Sequence, residues 1–188
     1  WPRLEVRGFM LDISRGKVPT LETLFGLVDD LAAFKYNHLQ LYCEHTFQYH
    51  RHPAIGAGHS PMTAGEVVRL EEYARQRHIE LVPNLQSFGH QHHILKLPQY
   101  AHLAESDYRN GWTLSPERPE TYELLADLYA EYLPLFRSEW LNISCDETWD
   151  LGTGLTRPRA ERIGVARVYF EHILKLRDLA ARHGRRIM

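Results

Sequence analysis

The chain has 188 residues, 44% of them hydrophobic and 24% charged, with a formal net charge of -2, a balance that excludes a disordered or collagen-like chain. Its 22 Lys and Arg stand against 24 Asp and Glu without a basic block, so nothing supplies the phosphate-neutralising stripe that nucleic-acid affinity requires. Every apolar run breaks within a few residues, far short of the roughly 20 that span a bilayer, so no membrane partner is expected either.

The opening Trp1-Pro2-Arg3-Leu4 lacks the basic, apolar and small-residue succession of a signal peptide. The two cysteines, Cys43 and Cys145, are too few for a disulfide framework and sit in apolar runs where a thiol acts as a small hydrophobe. The compartment therefore stays nearly open, leaning to the cytoplasm.

Short β-branched or aromatic runs alternate along the chain with longer helical periods. The first run, Val6 to Ser14, ends at Arg15-Gly16. Thr20 then caps a helix to Phe34, with Leu21, Leu24, Phe25, Val28, Leu31 and Ala32 at spacings of three and four. His38 to Glu44 is the second strand. After a long loop, Thr63 and Glu66 have capping-box spacing and open a helix whose apolar stripe is Val67, Leu70 and Tyr73. Ile79 to Ser87 is the third strand and Arg118 to Phe136 the next helix. Trp140 to Glu147, a helix from Pro158 to His183, and the opening of a fifth strand at Arg185 to Met188 complete the series.

This rhythm implies parallel strands with right-handed helical crossovers, either an open doubly wound sheet or a closed (β/α)8 barrel. Polar residues gather at the C-terminal ends of four strands: Asp12 and Arg15, Glu44 and His45, Gln86 and His90, Asp146 and Glu147. An open sheet concentrates its chemistry at one switch point, whereas a barrel draws it from many strand ends, and no Gly-rich phosphate loop follows the first strand. The expected fold is therefore α/β, a TIM barrel. At about 250 residues for a whole barrel, residues 1–188 read as one domain holding about the first four and a half βα units.

The most informative segment is Trp140-Leu-Asn-Ile-Ser-Cys-Asp-Glu147, an apolar strand running into two adjacent carboxylates. Such neighbours can be driven to different protonation states and so serve as acid and anion in one site. Both reach one ligand only if the chain leaves regular pleating at Asp146, because successive strand residues face opposite ways. A purely structural reading makes Asp146 a cap and Glu147 a solvated acid. Arg7 lies in an apolar run where a guanidinium needs an anionic or hydroxyl-rich partner, or a structural salt bridge to Glu5 or Asp12. Glu44 closes the second strand. His90 follows Gly89, either as a hydrogen-bonded loop histidine or as one half of a carboxylate–imidazole relay.

Taken in order, Arg7-Gly-Phe-Met-Leu-Asp-Ile-Ser-Arg15, Leu39-Gln-Leu-Tyr-Cys-Glu44, Gly89-His90 and Asp146-Glu147 resemble glycoside hydrolase family 20, the β-N-acetylhexosaminidases, and most closely its bacterial members. The resemblance covers essentially the whole chain. It implies a glycosidase acting on terminal β-linked GlcNAc or GalNAc, in which the substrate's acetamido oxygen attacks its own anomeric carbon to form an oxazolinium. On that basis Asp146 would orient the acetamido group and Glu147 would be the acid and base. Arg7 would bind sugar hydroxyls, and Glu44 with His90 would support Glu147. Trp149 would face the sugar, or else pack at the barrel rim. No cofactor or metal is implied. His45 stands where the nearer members carry Asp, and Ser144-Cys145 stand where many carry glycines. The family's acetamido box comes largely from strands five to eight, so the remaining half of the barrel is needed in cis or by association.

Two other readings use the same residues. A sugar-binding or assembly module would keep the site without turnover. A metal-dependent hydrolase would recruit the His-rich loop His45, His50, His52 and His59, or His90, His92 and His93; neither a His-x-His after the first strand nor a helical His-Glu-x-x-His is present.

Overall fold

The computed structural model describes residues 3–188; Trp1 and Pro2, part of the opening segment that lacks a signal-peptide pattern, lie outside them. Five strands, β1 (Gly8–Asp12), β2 (His38–Tyr42), β3 (Glu80–Pro83), β4 (Trp140–Leu141) and β5 (Arg186–Ile187), alternate with helices α1 (Leu21–Ala33), α2 (Ala64–Arg75), α3 (His92–Leu95), α4 (Pro119–Tyr132), α5 (Arg157–Ile163) and α6 (Val165–Ala181). β1 pairs with β2 from Gly8↔His38 to Asp12↔Tyr42, and β2 with β3 from His38↔Glu80 to Leu41↔Pro83, all parallel. The ladder crosses to β4 through the parallel bridge Asn84↔Asn142, where Leu85 N–H donates to Asn142 O at 3.0 Å and Asn142 N–H to Pro83 O at 2.9 Å. β4 pairs with β5 at Trp140↔Arg186. The strand order is thus the chain order, as right-handed crossovers require, and the fold class is α/β.

Local signals account for the helix starts. Thr20 accepts from Thr23 N–H, and Thr63 with Glu66 forms a reciprocal capping box at 3.2 and 2.8 Å, each cap being worth about 1 kcal/mol. The apolar stripes of α1 (Leu24, Val28, Leu31), α2 (Val67, Leu70, Ala74), α4 (Leu124, Leu125, Leu128) and α6 (Val168, Leu176, Leu179) close over Leu39, Leu41, Leu81 and Leu141 of the sheet in one buried cluster. On the other side of the strands, Gln40 Oε1 accepts from Asn84 and Asn142, both at 2.8 Å, and Gln40 Nε2 meets His38 Nε2 at 2.8 Å. This inner layer is polar but internally satisfied, so its desolvation is compensated.

Three expectations are corrected. The single helix from Pro158 to His183 is two, because Gly164 at φ 82° leaves right-handed helical space between α5 and α6. The helix expected to reach Phe136 ends at Tyr132 and tightens into a 3₁₀ turn over Leu133–Leu135, since Pro134 has no N–H for the ladder. The run to Glu147 is regular strand only to Leu141 and bridged only as far as Ile143. α3 was not anticipated, because four residues are too few to show a period. β1 keeps one outer edge, and Phe9 and Met10 on it are exposed.

Candidate active site

The ends of β2, β3 and β4 converge around His90. This imidazole is 7% exposed, with Nδ1 3.7 Å from Glu44 Oε1 and Nε2 3.2 Å from Glu147 Oε2 and 3.5 Å from Asp146 Oδ2. A single ring therefore spans a buried carboxylate on one nitrogen and the exposed pair on the other. Asp146 and Glu147 are 59% and 48% exposed, so both carboxylates are open to solvent.

Local backbone shape makes this possible. Ser144, Cys145 and Glu147 have φ of 55°, 71° and 51°, a left-handed region that costs a non-Gly residue about 1 kcal/mol or more. The departure from pleating begins two residues before Asp146. It is pinned by Cys145 N–H donating to Gln86 Oε1 at 2.8 Å, Tyr169 Oη donating to Cys145 O at 3.0 Å, and Ser144 Oγ donating to Asn84 Oδ1 at 3.0 Å. Against this segment lies Gly89, where a Cβ would stand 2.2 Å from Asp146 O. Only a residue without a side chain admits that approach.

Asp146 and Glu147 have different neighbours. Gln86 Nε2 donates to Asp146 Oδ1 at 2.7 Å and to Tyr42 Oη at 3.2 Å, while Tyr42 Oη donates to Glu44 Oε1 at 2.9 Å. Burial pushes the Glu44 carboxyl up from its ordinary range, and the Tyr42 hydroxyl only partly offsets it. Trp112 covers His90, ring centroids 4.6 Å apart, and its indole N–H donates to Glu147 O at 2.6 Å. Beyond Glu44, the Asp12 carboxyl is held down: burial opposes ionisation, but Arg15 and Ser14 backbone N–H groups and the Arg15 side chain outweigh it. Arg15 then lies over the Tyr42 ring at 5.1 Å.

The model of the glycosyl hydrolase family 20 catalytic domain matches residues 5–160. The chain belongs to glycosyl hydrolase family 20. Hexosaminidase D of Bos taurus is 29% identical over 142 residues, which cover 74% of this chain and 40% of the relative. The solved chitobiase of Flavobacterium johnsoniae superposes with a TM-score of 0.86 at 24% identity, over 100% of this chain and 31% of that one. The family 20 exo β-N-acetylglucosaminidase of Vibrio harveyi, solved with N-acetylglucosamine, has a TM-score of 0.81 at 20% identity, over 100% of this chain and 35% of the other. The chain thus spans well under half the length of these proteins.

Of the six residues singled out by sequence in this family 20 chain, the structure gathers four: Glu44, His90, Asp146 and Glu147. Trp149 stands beside them, 64% exposed, with its backbone N–H donating to Glu147 O at 2.9 Å. Arg7 does not join them. It precedes β1, at the opposite end of the strands from the carboxylates, and its guanidinium donates to the backbone carbonyls of Leu4, Glu5 and Lys35. The guanidinium makes no salt bridge to Glu5 or Asp12, because carbonyls at the strand's entry satisfy the charge first. Sequence reasoning did not single out Tyr42 and Trp112, and it read Gln86 only as one of several strand-end polars. Trp112, the sole aromatic between Tyr108 and Tyr122, was the available signal.

Proposed function

We propose that the protein hydrolyses terminal β-linked N-acetylhexosamine, GlcNAc or GalNAc, from glycosides with retention of configuration, the substrate's acetamido group serving as nucleophile. The observation that carries this reading is that Asp146 and Glu147 reach one imidazole while only Asp146 is fixed by Gln86. Asp146 orients the acetamido group and stabilises the positive charge that develops on the oxazolinium. Glu147 protonates the glycosidic oxygen and then takes a proton from the incoming water. Glu44 and His90 hold Glu147 in position, and Trp149 offers an apolar face to the pyranose.

The same reading makes residues 1–188 the first four and a half units of a (β/α)8 catalytic domain. The unpaired edges of β1 and β5 and the exposed Phe9, Met10 and Met188 favour closure by the remaining strands, in cis or by association, since open apolar edges invite pairing.

The test is release of 4-nitrophenol from its N-acetyl-β-glucosaminide and N-acetyl-β-galactosaminide by the full-length protein. Asp146→Asn should lower kcat by about 100-fold or more, as loss of a transition-state charge partner does. Glu147→Gln should do so more strongly on an alkyl glycoside, whose leaving group needs the proton. A well-folded protein that binds the sugar but turns over neither substrate would overturn catalysis in favour of a binding module.

A further inference from the structure

Three imidazoles outside the carboxylate cluster also converge. His45 follows Glu44 at the end of β2, His59 comes from the long loop before α2, and His93 lies in α3 three residues after His90; each offers a nitrogen within 4.8 Å of the others. We propose that His45, His59 and His93 form a binding site for a divalent transition-metal ion, zinc in the first instance.

His45 carries the argument. Only 2% of it is exposed, and neither Nδ1 nor Nε2 has a hydrogen-bond partner. A buried imidazole with both nitrogens unmet is unusual, because buried polar atoms are nearly always paired. The His93 ring stacks on it at 3.9 Å and the His59 ring lies edge-on at 4.6 Å. Burial, then repulsion from His93 and His59, holds His45 down to about 3, and burial with Lys96 and His59 holds His93 down to about 4. A neutral imidazole nitrogen has a lone pair to give to a metal. Three imidazoles plus water make the open tetrahedral set that zinc favours, and imidazole ligands select zinc, copper or nickel over magnesium and calcium.

Binding requires a defined rearrangement. Tetrahedral Zn–N bonds place ligand nitrogens about 3.3 Å apart, so the cluster contracts and His93 turns out of its stack on His45. His93 now accepts from Lys96, Nζ to Nδ1 3.0 Å, and that contact gives way to the metal. His59 is exposed between Gly58 and Ser60, both at positive φ, and is free to follow. The ion then ties the long loop and α3 to the residue next to Glu44. The proposal does not depend on the hydrolase reading, since its readout is metal content.

Tag-free full-length protein is dialysed against zinc, washed, and assayed for metal per chain, with cobalt substitution to report coordination through its visible spectrum. The expected result is one ion per chain with a tetrahedral cobalt spectrum. His59→Ala, at an exposed position with little bearing on folding, should weaken zinc by more than about 100-fold, beyond the usual cost of losing an outer-shell partner. Lys96→Met, which removes the competing ammonium, should tighten it severalfold. Absence of stoichiometric metal, undiminished binding in His59→Ala, or affinity in Lys96→Met no greater than in the parent would overturn the site.

Discussion

Replacing Gly89 by Ala tests whether the carboxylate pair is held by backbone packing. A Cβ there would lie 2.2 Å from Asp146 O and 3.3 Å from Glu147 O, whereas carbon and carbonyl oxygen ordinarily approach no closer than about 3.3 Å. The segment must retreat by about 1 Å. It is fastened by Gln86 to Cys145 N–H, by Tyr169 to Cys145 O and by Trp112 to Glu147 O, so the displacement breaks or bends at least one of these bonds. Overpacking of this kind costs about 1–3 kcal/mol, or a Tm drop of roughly 2–4 °C per kcal/mol in a domain of this size. A 1 Å error in the position of reacting groups can cost about 100-fold in rate. Steady-state kinetics on the nitrophenyl substrate and a thermal melt of the full-length protein measure both. Gly26→Ala is the control: it lies exposed in mid-α1 with nothing within 4 Å of its Cβ, and should add about 0.5–1 kcal/mol of stability with unchanged kcat. If Gly89→Ala keeps kcat within about threefold and Tm within about 1 °C, the close approach does not position Asp146 and Glu147, and this account fails.

Gln86→Leu removes the donor to Asp146 Oδ1 and Tyr42 Oη and the acceptor for Cys145 N–H. Leaving a buried N–H unmet costs about 1–3 kcal/mol, and kcat should fall more than KM rises; an equal loss in a Michaelis constant alone would mean that Gln86 serves binding only. The stability of the fold should depend on His172, which is buried, stacked on Phe88 at 3.8 Å, and bonded through Nδ1 to Tyr122 Oη at 3.0 Å and through Nε2 to Ser87 O at 3.1 Å. Burial pushes this imidazole down to about 4. Between about pH 6.5 and 4 the unfolded chain takes up a proton there that the folded chain refuses. Its contribution is therefore complete above pH 6.5 and is lost as pH falls, by about 3 kcal/mol overall. Urea unfolding at pH 7 and 4.5 should show the parent losing more stability than His172→Phe; parallel losses would contradict it, since His45 and His93 act in the same direction in both proteins.

Much of the scaffold was legible in the residues themselves. Helix starts are local chemistry, so Thr20 and the Thr63–Glu66 box declared α1 and α2, and the apolar stripes with period near 3.6 declared the buried faces of those two helices. The succession of strands and helices implied parallel pairing in chain order, because crossover handedness leaves few alternatives. Breaks that depend on one residue's dihedral, such as Gly164, were hidden inside a continuous periodicity. Likewise the adjacency of Asp146 and Glu147 was plain, but the positive φ at Ser144 and Cys145 that lets both serve one site was not, since neither residue favours that conformation by itself. Those angles are imposed by partners far along the chain: Gln86, Asn84, Tyr169 and the absent side chain of Gly89. Arg7 shows the converse. Its charge asked for an acceptor, and the sequence alone could not tell a sugar hydroxyl from the carbonyls of Leu4, Glu5 and Lys35. The order of elements and the chemical types at their ends follow from short-range rules. Which of those groups meet, and which of the histidines share a space, is decided by loop closure and packing between segments 30 to 100 residues apart, where no local rule reaches.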